Sequence, residues 1–228
     1  MRSIGRPNFY YERELWQKNC KVVIGVDEVG RGSFAGPLVV GCVSYSPDIL
    51  TKPHPLINDS KKLSAKQRLS ADRWIRKNST VAEIGWASVG EINKVGVGKA
   101  TYLAVRRAVS MLKNVDFMLV DAIYIPYVVG LGKDKQKSII KGDSISFSIA
   151  SASIVAKVYR DRFMVELTKI PKYSIYSWHT NKGYGTKEHR MAIQRHGVCD
   201  LHRSKFVSST IKLSVNYFDR KTAKSQTS

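Results

Sequence analysis

Residues 21–32 of this 228-residue chain read KVVIGVDEVGRG, and the fold class is best approached from this stretch. Residues 21–26 form a β-branched run, which predicts a strand. The run ends in two adjacent acids, Asp27 and Glu28, which are followed by the tight sequence Gly30-Arg31-Gly32. Functional groups of open α/β sheets gather at the ends of strands, where loops converge. We therefore expect a buried strand with a functional site at its end.

Strands and helices alternate on the C-terminal side of this stretch. Strands are predicted at residues 38–43, 81–87, 117–120 and 136–141, and helices at residues 64–78, 97–113, 148–168 and 186–196. A short helix or arm is expected within residues 1–20. Ser64 with Gln67 fits a capping box, and Thr186 is an N-cap candidate. This order predicts an α/β protein with a mixed sheet.

The chain has no internal repeat and no long linker rich in proline and glycine. Its length suits one domain with a sizeable core. We predict a single domain over residues 1–219, with a helical C-terminal part from about residue 160. The polar residues 220–228 are predicted to be a disordered tail.

Apolar runs and cysteine usage predict the compartment. No segment approaches the roughly 20 apolar residues that a membrane helix needs, and the N-terminal sequence MRSIGRP lacks the apolar core of a signal peptide. Cys20, Cys42 and Cys199 are far apart and suggest neither a disulfide framework nor a zinc site. We expect a cytoplasmic protein that does not bind membranes.

Charge is the most informative part of the composition. Lys and Arg number 38 against 18 Asp and Glu, which gives a formal net charge of +20 at pH 7. A polyanion would neutralise this self-repulsion, and each phosphate contact would release counterions. Nucleic acid is the polyanion that we expect. A ribosomal-type protein, or a merely basic surface, is the alternative that composition leaves open.

Acids beside strand ends and glycines are conspicuous in so basic a chain. Asp27 and Glu28 close the first strand, Asp121 closes the strand at 117–120, and Asp143 follows a glycine. Carboxylates that meet raise one another's pKa, and a divalent cation removes that penalty. Mg²⁺ takes oxygen ligands and suits a phosphate substrate, and two such ions can activate water and stabilise a leaving oxygen. These acids are therefore candidates for a site that holds two divalent ions.

Spacing alone leaves this assignment open. Adjacent strand residues point to opposite faces, so Asp27 and Glu28 share a site only if the chain leaves regular strand geometry at Glu28. A single Asp at a strand end is also often just a loop cap. Other acids near loops and helix surfaces remain alternatives, and these are Asp59, Asp116, Asp134 and Asp161.

Several short motifs together resemble the type 2 ribonuclease H family (bacterial ribonuclease HII). Residues 27–32, DEVGRG, are similar to that family's DEAGRG motif. The other similar segments are 58–64 (NDSKKLS), 119–121 (LVD), 141–143 (KGD), 149–158 (IASASIVAKV) with 160–162 (RDR), 182–189 (KGYGTKEH) and 202–203 (HR). Each motif is weak alone, but they occur in the family's order over about residues 21–207.

The resemblance implies a ribonuclease H-like mixed sheet flanked by helices, with a helical C-terminal part. It implies that the catalytic residues, which hold two Mg²⁺ or Mn²⁺ ions, are Asp27, Glu28, Asp121 and Asp143. It also implies that Gly30-Arg31-Gly32 and Tyr184 read the RNA–DNA junction, where the 2′-hydroxyl separates RNA from DNA. Without the resemblance, Tyr184 would be interpreted as a half-buried aromatic residue.

Four further residues are candidate contacts to the substrate backbone. Lys61 and Lys62 would meet phosphates, or would form only a solvated helix start. Ser153 and Lys157 are four residues apart and share one helix face. They could touch a phosphate, but Ser153 could equally serve only to allow close helix packing.

Some positions depart from the family's pattern. Ala122 follows Asp121 where the family often has glycine, which we expect to alter the loop there. Asn181 stands where the family commonly has histidine before Lys-Gly-Tyr, which puts a helper role for that histidine in doubt. Residues 202–206, HRSKF, shuffle the family's His-Arg-x-Ser-Phe.

The activity that the resemblance implies is endonucleolytic hydrolysis of the RNA strand of RNA–DNA hybrids. It includes incision on the 5′ side of a ribonucleotide within duplex DNA, as in ribonucleotide excision repair, leaving a 3′-hydroxyl and a 5′-phosphate. We expect a monomer, and residues 220–228 contain no clear clamp-binding peptide. One alternative is a binding module with a decayed site, which would lack metal-dependent turnover. Another is a junction resolvase, which has no need to sense a 2′-hydroxyl.

Overall fold

The computed structural model describes residues 6–51 and 57–210. Contacts divide the chain into two units, the first made of Met1–Arg31 with Pro37–Arg160 and the second of Gly32–Gly36 with Asp161–Ser228. The single domain predicted for residues 1–219 stays a prediction, and the predicted tail at 220–228 lies outside the described residues. No helix in the described ranges is both long and apolar enough to cross a membrane.

A five-stranded sheet lies in the described part of the first unit. Its strands are β1 (Val23–Val29), β2 (Leu38–Ser44), β3 (Val81–Ala87), β4 (Phe117–Asp121) and β5 (Gln136–Ile139). Their spatial order is β3-β2-β1-β4-β5. The pairs β3–β2 and β2–β1 are antiparallel, whereas β1–β4 and β4–β5 are parallel. The sheet is therefore mixed, as the sequence predicts.

Two of the described helices of this unit begin at capping boxes. The described helices are α1 (Tyr10–Gln17), α2 (Ala65–Asn78), α3 (Val89–Ser110) and α4 (Phe147–Leu167), whose last turns belong to the second unit. Ser64 and Gln67 form the predicted capping box of α2. A second box, Ser88 with Glu91, starts α3, and the non-helical Gly96 (φ 79°, ψ 160°) divides α3 into two helical segments, the second of which begins at Val97 as predicted.

The two faces of β1 pack against different helices because side chains alternate along a strand. Ile24 and Val26 belong to the same apolar cluster as the α3 residues Ala100 and Ala104. On the other face, a Cβ at Gly25 would overlap the backbone of Ser148, at the start of α4. The close approach of α4 to β1 thus requires glycine at this position. Asp27 is two residues further along β1, so its side chain lies on the same face as Gly25.

Four short helices are described in the second unit after α4: α5 (Pro171–Ser174), α6 (Trp178–Asn181), α7 (Lys187–His196) and α8 (Ser204–Thr210). Thr186 is the N-cap of α7, as predicted, because its hydroxyl accepts a hydrogen bond from the His189 backbone. The core of this unit is aromatic and aliphatic, and its buried members include Phe34, Met164, Tyr173, Tyr176, Trp178, Ile193 and Val207.

Candidate active site

Two of the predicted acids lie at matching positions in neighbouring parallel strands. Val26 of β1 pairs with Val120 of β4, and Asp27 and Asp121 are the next residues along each strand. Because parallel strands run in the same direction, these two residues lie toward the same edge of the sheet, where both strands end. Their equal distance from the paired residues places both side chains on one face of the sheet.

Asp27 is the most deeply buried of the acids whose pKa is raised at this edge. Its residue is 7% exposed, and its carboxylate accepts hydrogen bonds from the Ser153 side chain and the Glu28 backbone. Burial raises the pKa of Asp27 well above its usual range, and the charges of Glu28 and Asp121 raise it further, whereas the bond from Ser153 opposes the rise. Ionisation of Asp27 is thus opposed by its surroundings.

Glu28 reaches the same group although β1 stays regular. The strand continues to Val29, with Glu28 paired to Val40, so the chain does not leave strand geometry at Glu28. Burial nevertheless raises the pKa of Glu28, the nearby Arg31 guanidinium opposes this, and the charge of Asp121 adds to it. The Arg31 Nη1 atom lies 3.3 Å from Glu28 Oε1. Electrostatic coupling therefore links Glu28 to both Asp27 and Asp121.

Asp121 ends β4, and the residue after it has an unusual backbone conformation. Its Oδ1 atom accepts a 2.8 Å hydrogen bond from the Gly142 backbone, and the following Ala122 has a φ of 55°. Glycine suits this left-handed region, whereas Ala122, which carries a Cβ, adopts it at a cost of about 1 kcal/mol. Burial raises the pKa of Asp121, the bond from Gly142 opposes the rise, and the charge of Asp143 increases it.

Asp143 lies in the single 3₁₀ turn Gly142–Ser144, which Lys141 begins with a φ of 58°. The residue is buried, and its Oδ2 atom is 3.9 Å from Lys61 Nζ. The turn is tied to β4 through the bond between Gly142 and Asp121. Asp143 therefore joins the electrostatic group through Asp121.

These four acids suit a hard divalent cation by their chemistry. Hard divalent cations prefer oxygen ligands. Added positive charge also stabilises the ionised form of buried carboxylates whose pKa values are raised. In the part of the chain that the structure describes, no three His, Cys, Asp or Glu side chains already have an arrangement that could hold a metal ion. The acids interact through their charges, and two of them also pair with a basic residue: Glu28 with Arg31 and Asp143 with Lys61.

The other acids differ in their relation to this group. Asp116 accepts hydrogen bonds from the backbones of Lys21 and Val22 at the start of β1, so it is a loop cap. Asp59 caps the turn Ser60–Lys62 by accepting from the Lys61 backbone, but its charge also raises the pKa of Asp121. Asp59 is therefore close enough to act electrostatically on the site.

Ser60 also belongs to this site, although the sequence alone predicts no role for it. Its hydroxyl lies 3.0 Å from the hydroxyl of Ser153, and both residues are buried. Ser153 in turn bonds Asp27, so it contacts an acid where a phosphate contact was predicted as one possibility. Arg68 donates a 2.9 Å hydrogen bond to the Ser60 carbonyl and fixes the loop. The neighbouring Lys61, a predicted phosphate contact, is the feature of the sequence that could have indicated a role for Ser60.

The remaining predicted phosphate contacts differ in exposure. Lys62 is exposed beside Lys61 in the turn after Asp59. Lys157 is half-buried on α4, four residues after Ser153. Both keep the positions that the sequence predicts, and their contact with a phosphate stays a prediction.

The glycines of the Gly30-Arg31-Gly32 sequence have different surroundings. Gly30 has a φ of +90°, and a Cβ there would overlap the side chain of Arg160. The buried Arg160 donates a 2.9 Å hydrogen bond from Nε to the Pro37 carbonyl. At Gly32, by contrast, a Cβ would meet nothing within 4 Å. The fold therefore requires glycine at position 30, while the space at Gly32 is free of described protein atoms.

Tyr184 lies in a turn that hydrogen bonds hold in the second unit. The backbones of Phe34 and Ala35 donate to the Gly183 carbonyl at 2.8 and 3.1 Å. The Asn181 side chain stabilises this turn, since it accepts a hydrogen bond from the Gly183 backbone and donates one to the Tyr176 carbonyl, each at 2.8 Å. Asn181 therefore has a structural role, and Tyr184 is half-buried.

Comparison with known proteins gives the family. The ribonuclease HII family model matches residues 24–209. A ribonuclease HII of Caldanaerobacter subterraneus is 41% identical over 204 residues, covering 89% of this chain and 81% of that protein.

Solved structures show the same fold. Ribonuclease HII in the PCNA complex from Archaeoglobus fulgidus has a TM-score of 0.69 at 24% identity, covering 87% of this chain and 100% of that chain. Bst-RNase HIII in complex with Mn²⁺ has a TM-score of 0.61 at 17% identity, covering 90% and 70%. The predicted ribonuclease H-like fold is confirmed. The chain belongs to the ribonuclease HII family and is a ribonuclease H enzyme that acts on RNA–DNA hybrids.

Proposed function

We propose that this enzyme incises duplex DNA on the 5′ side of an embedded ribonucleotide, in addition to cutting the RNA strand of hybrids. The products are a 3′-hydroxyl and a 5′-phosphate, and the enzyme acts as a cytoplasmic monomer in ribonucleotide excision repair. The observation that carries the proposal is the electrostatic coupling of Asp27, Glu28, Asp121 and Asp143 at one edge of the sheet.

The four acids hold two Mg²⁺ or Mn²⁺ ions in this proposal. A structural neighbour, Bst-RNase HIII, is in complex with Mn²⁺, which supports the choice of ion. Such ions would activate water for in-line attack and stabilise the leaving 3′-oxygen. The protein holds Asp27 with Ser153 and Asp121 with the Gly142 backbone, so these two of the four carboxylates are restrained by hydrogen bonds without an ion.

Basic side chains beside the acids take the substrate phosphates. Arg31 and Lys61 have side-chain exposures of 48% and 82%, so both can turn from their carboxylates toward a phosphate. Lys62 and Lys157 extend this basic surface. The net charge of +20 adds a long-range attraction for the duplex.

The ribonucleotide is recognised by Gly30-Arg31-Gly32 and Tyr184. The space beside Gly32 allows a sugar to approach the backbone closely, which a side chain there would prevent. The Tyr184 ring is half-buried and carries a hydroxyl, so it can pack on a sugar and form a hydrogen bond. A 2′-hydroxyl is the group that such a site distinguishes.

The test is cleavage of a labelled duplex that contains one ribonucleotide, with Mg²⁺ or Mn²⁺. We expect a single cut 5′ of the ribonucleotide, and Asp121→Asn is expected to bind the duplex while turnover falls by at least about 100-fold. The exposed Asp134→Asn serves as the matched control. Folded enzyme that makes no cut, or Asp121→Asn that cuts at the parent rate, would contradict the proposal.

A further inference from the structure

A chain of hydrogen bonds crosses the core of the second unit and ends at the backbone of Tyr184. It begins at Cys199, whose backbone donates to His202 Nδ1 at 2.9 Å. The Nε2 atoms of His202 and His189 lie 3.1 Å apart. His189 Nδ1 lies 2.9 Å from the Tyr184 carbonyl oxygen. His189 and His202 are buried, at 0% and 4% exposure.

The indole of Trp178 determines which nitrogen of His189 carries its proton. Trp178 Nε1 lies 3.1 Å from His189 Nε2, and an indole nitrogen can only donate. His189 Nε2 is therefore an acceptor without a hydrogen. In a neutral ring the proton is then on Nδ1, where it is donated to the Tyr184 carbonyl.

The other end of the chain gives the same answer independently. A backbone N–H can only donate, so the bond from Cys199 makes His202 Nδ1 an acceptor. A neutral His202 then carries its proton on Nε2 and donates it to His189 Nε2. Trp178 thus requires His189 to carry its proton on Nδ1, and the Cys199 backbone requires His202 to carry its proton on Nε2. These two tautomers place a donor and an acceptor at the contact between the rings.

We infer that His189 is a positioning residue for Tyr184, and that His202 and Trp178 hold it in the neutral form protonated on Nδ1. The inference rests on the proposed role of Tyr184 in reading the ribonucleotide. His189 touches no substrate in this account; it fixes the backbone that presents the Tyr184 ring.

A second proton on His189 is incompatible with this arrangement. It would place an N–H on Nε2 opposite two other donors, those of Trp178 and His202. Burial lowers the pKa of His189, and the bond to the Tyr184 carbonyl opposes this shift. The chain of hydrogen bonds from Cys199 to Tyr184 therefore requires a neutral His189.

The surroundings of His189 supply no compensating charge among its described ring contacts, which are Phe34, Tyr176, Trp178 and His202. Cys199, beyond His202, is a thiol with a pKa raised by burial. The charged pair Lys172–Asp200 bonds Tyr173, and Glu188 on the helix of His189 bonds the Thr186 hydroxyl. A cationic His189 would thus gain no partner from these groups.

The direct test is ¹⁵N NMR of the histidine rings in the unmodified protein at pH 7.5. We expect one ring protonated on Nδ1, assigned to His189, and one on Nε2, assigned to His202. The exposed His179 and His196 provide references in the same spectrum. A His189 ring protonated on Nε2, or one that titrates at an ordinary pKa, would overturn the inference.

Two substitutions separate the bond to Tyr184 from mere packing. The amide nitrogen of Asn can replace Nδ1, whereas the longer Gln places its amide near Nε2. We expect His189→Gln to lose about tenfold in kcat on the single-ribonucleotide duplex and His189→Asn to retain most of it. His196→Asn is the exposed control, and unfolding curves check that each variant is folded. Equal losses for Asn and Gln in folded variants would contradict the positioning role.

A parallel measurement on Tyr184→Ala separates this inference from the proposed function. Cleavage by Tyr184→Ala at the parent rate would refute the role of Tyr184, while the tautomers seen by NMR would still decide the hydrogen-bond relay. Loss of activity in Tyr184→Ala together with the expected tautomers supports both.

Discussion

Lys61 competes with any cation that binds the carboxylates. Its Nζ atom lies 3.9 Å from Asp143 Oδ2, and its charge lowers the pKa of Asp121 against the effect of burial. In the free enzyme it partly neutralises the acids. When substrate is bound, we propose that it contacts a phosphate instead. One residue therefore opposes metal binding and favours substrate binding.

Replacing Lys61 should accordingly change the two affinities in opposite directions. We expect Lys61→Gln to lower the Mg²⁺ concentration that gives half-maximal rate, because a competing charge is lost. The KM for the duplex should rise by about threefold to tenfold, because a phosphate contact is lost. Lys62→Gln is the control, since no acid contact is described for it and only the KM should change. A rise in the Mg²⁺ requirement of Lys61→Gln would contradict the competition.

At the scale of elements, the placement of α4 depends on glycines in the sheet beneath it. A Cβ at Gly41 in β2 would overlap the carbonyl oxygen of Ala152. This close contact lies in the second turn of α4, and the next residue, Ser153, bonds Asp27. The glycine therefore affects the site through the position of a helix.

The same substitution should have opposite effects at two glycines. Gly41→Ala should lower the free energy of unfolding by about 1–3 kcal/mol, because the α4 backbone cannot move away without loss of packing. Gly98→Ala in α3, where a Cβ meets nothing within 4 Å, should be neutral or stabilise by up to about 1 kcal/mol. Urea unfolding measures both. Comparable losses in the two variants would show that the contact with α4 is unimportant.

At the scale of the whole molecule, the buried acids make stability depend on pH and metal together. The folded-state pKa values of Asp27, Glu28 and Asp121 are raised. Their contribution to stability is therefore fully present below the unfolded pKa, near 4, and is lost as pH rises through the folded pKa values. In the proposed function, divalent ions bind the ionised carboxylates, so they should offset this loss.

Thermal unfolding with and without Mg²⁺ should reveal this linkage. We expect Mg²⁺ to raise the Tm more at pH 8 than at pH 5, because more carboxylates are ionised at pH 8. In Asp121→Asn the response to Mg²⁺ should shrink at both pH values. The control without Mg²⁺ is a Ca²⁺-free buffer of the same ionic strength, so that general screening of charges is equal in the two samples. An equal Tm shift at the two pH values, or in the variant, would contradict binding at these acids.

The sequence by itself determined the fold class and the local starts of its elements. Short runs of strand-forming residues predicted all five strands, and the pair Ser64 with Gln67 and the N-cap candidate Thr186 placed two helix starts, because these signals act within a few residues. The ordered motifs indicated the family and the four acids. The helix predicted from residue 97 corresponds to the part of α3 that follows the non-helical Gly96, whereas the segment that begins at the Ser88–Glu91 capping box was not predicted.

Only the tertiary structure decided which groups meet. Asp27 and Asp121 are brought together by the parallel pairing of β1 with β4, which no local signal encodes. The contact of Ser60 with Ser153 joins residues far apart in sequence, as does the pairing of Lys61 with Asp143. The tautomers of His189 and His202 depend on donors from Trp178 and Cys199. Such contacts are set by the packing of distant segments, so composition and spacing could nominate these residues but could not assign their partners.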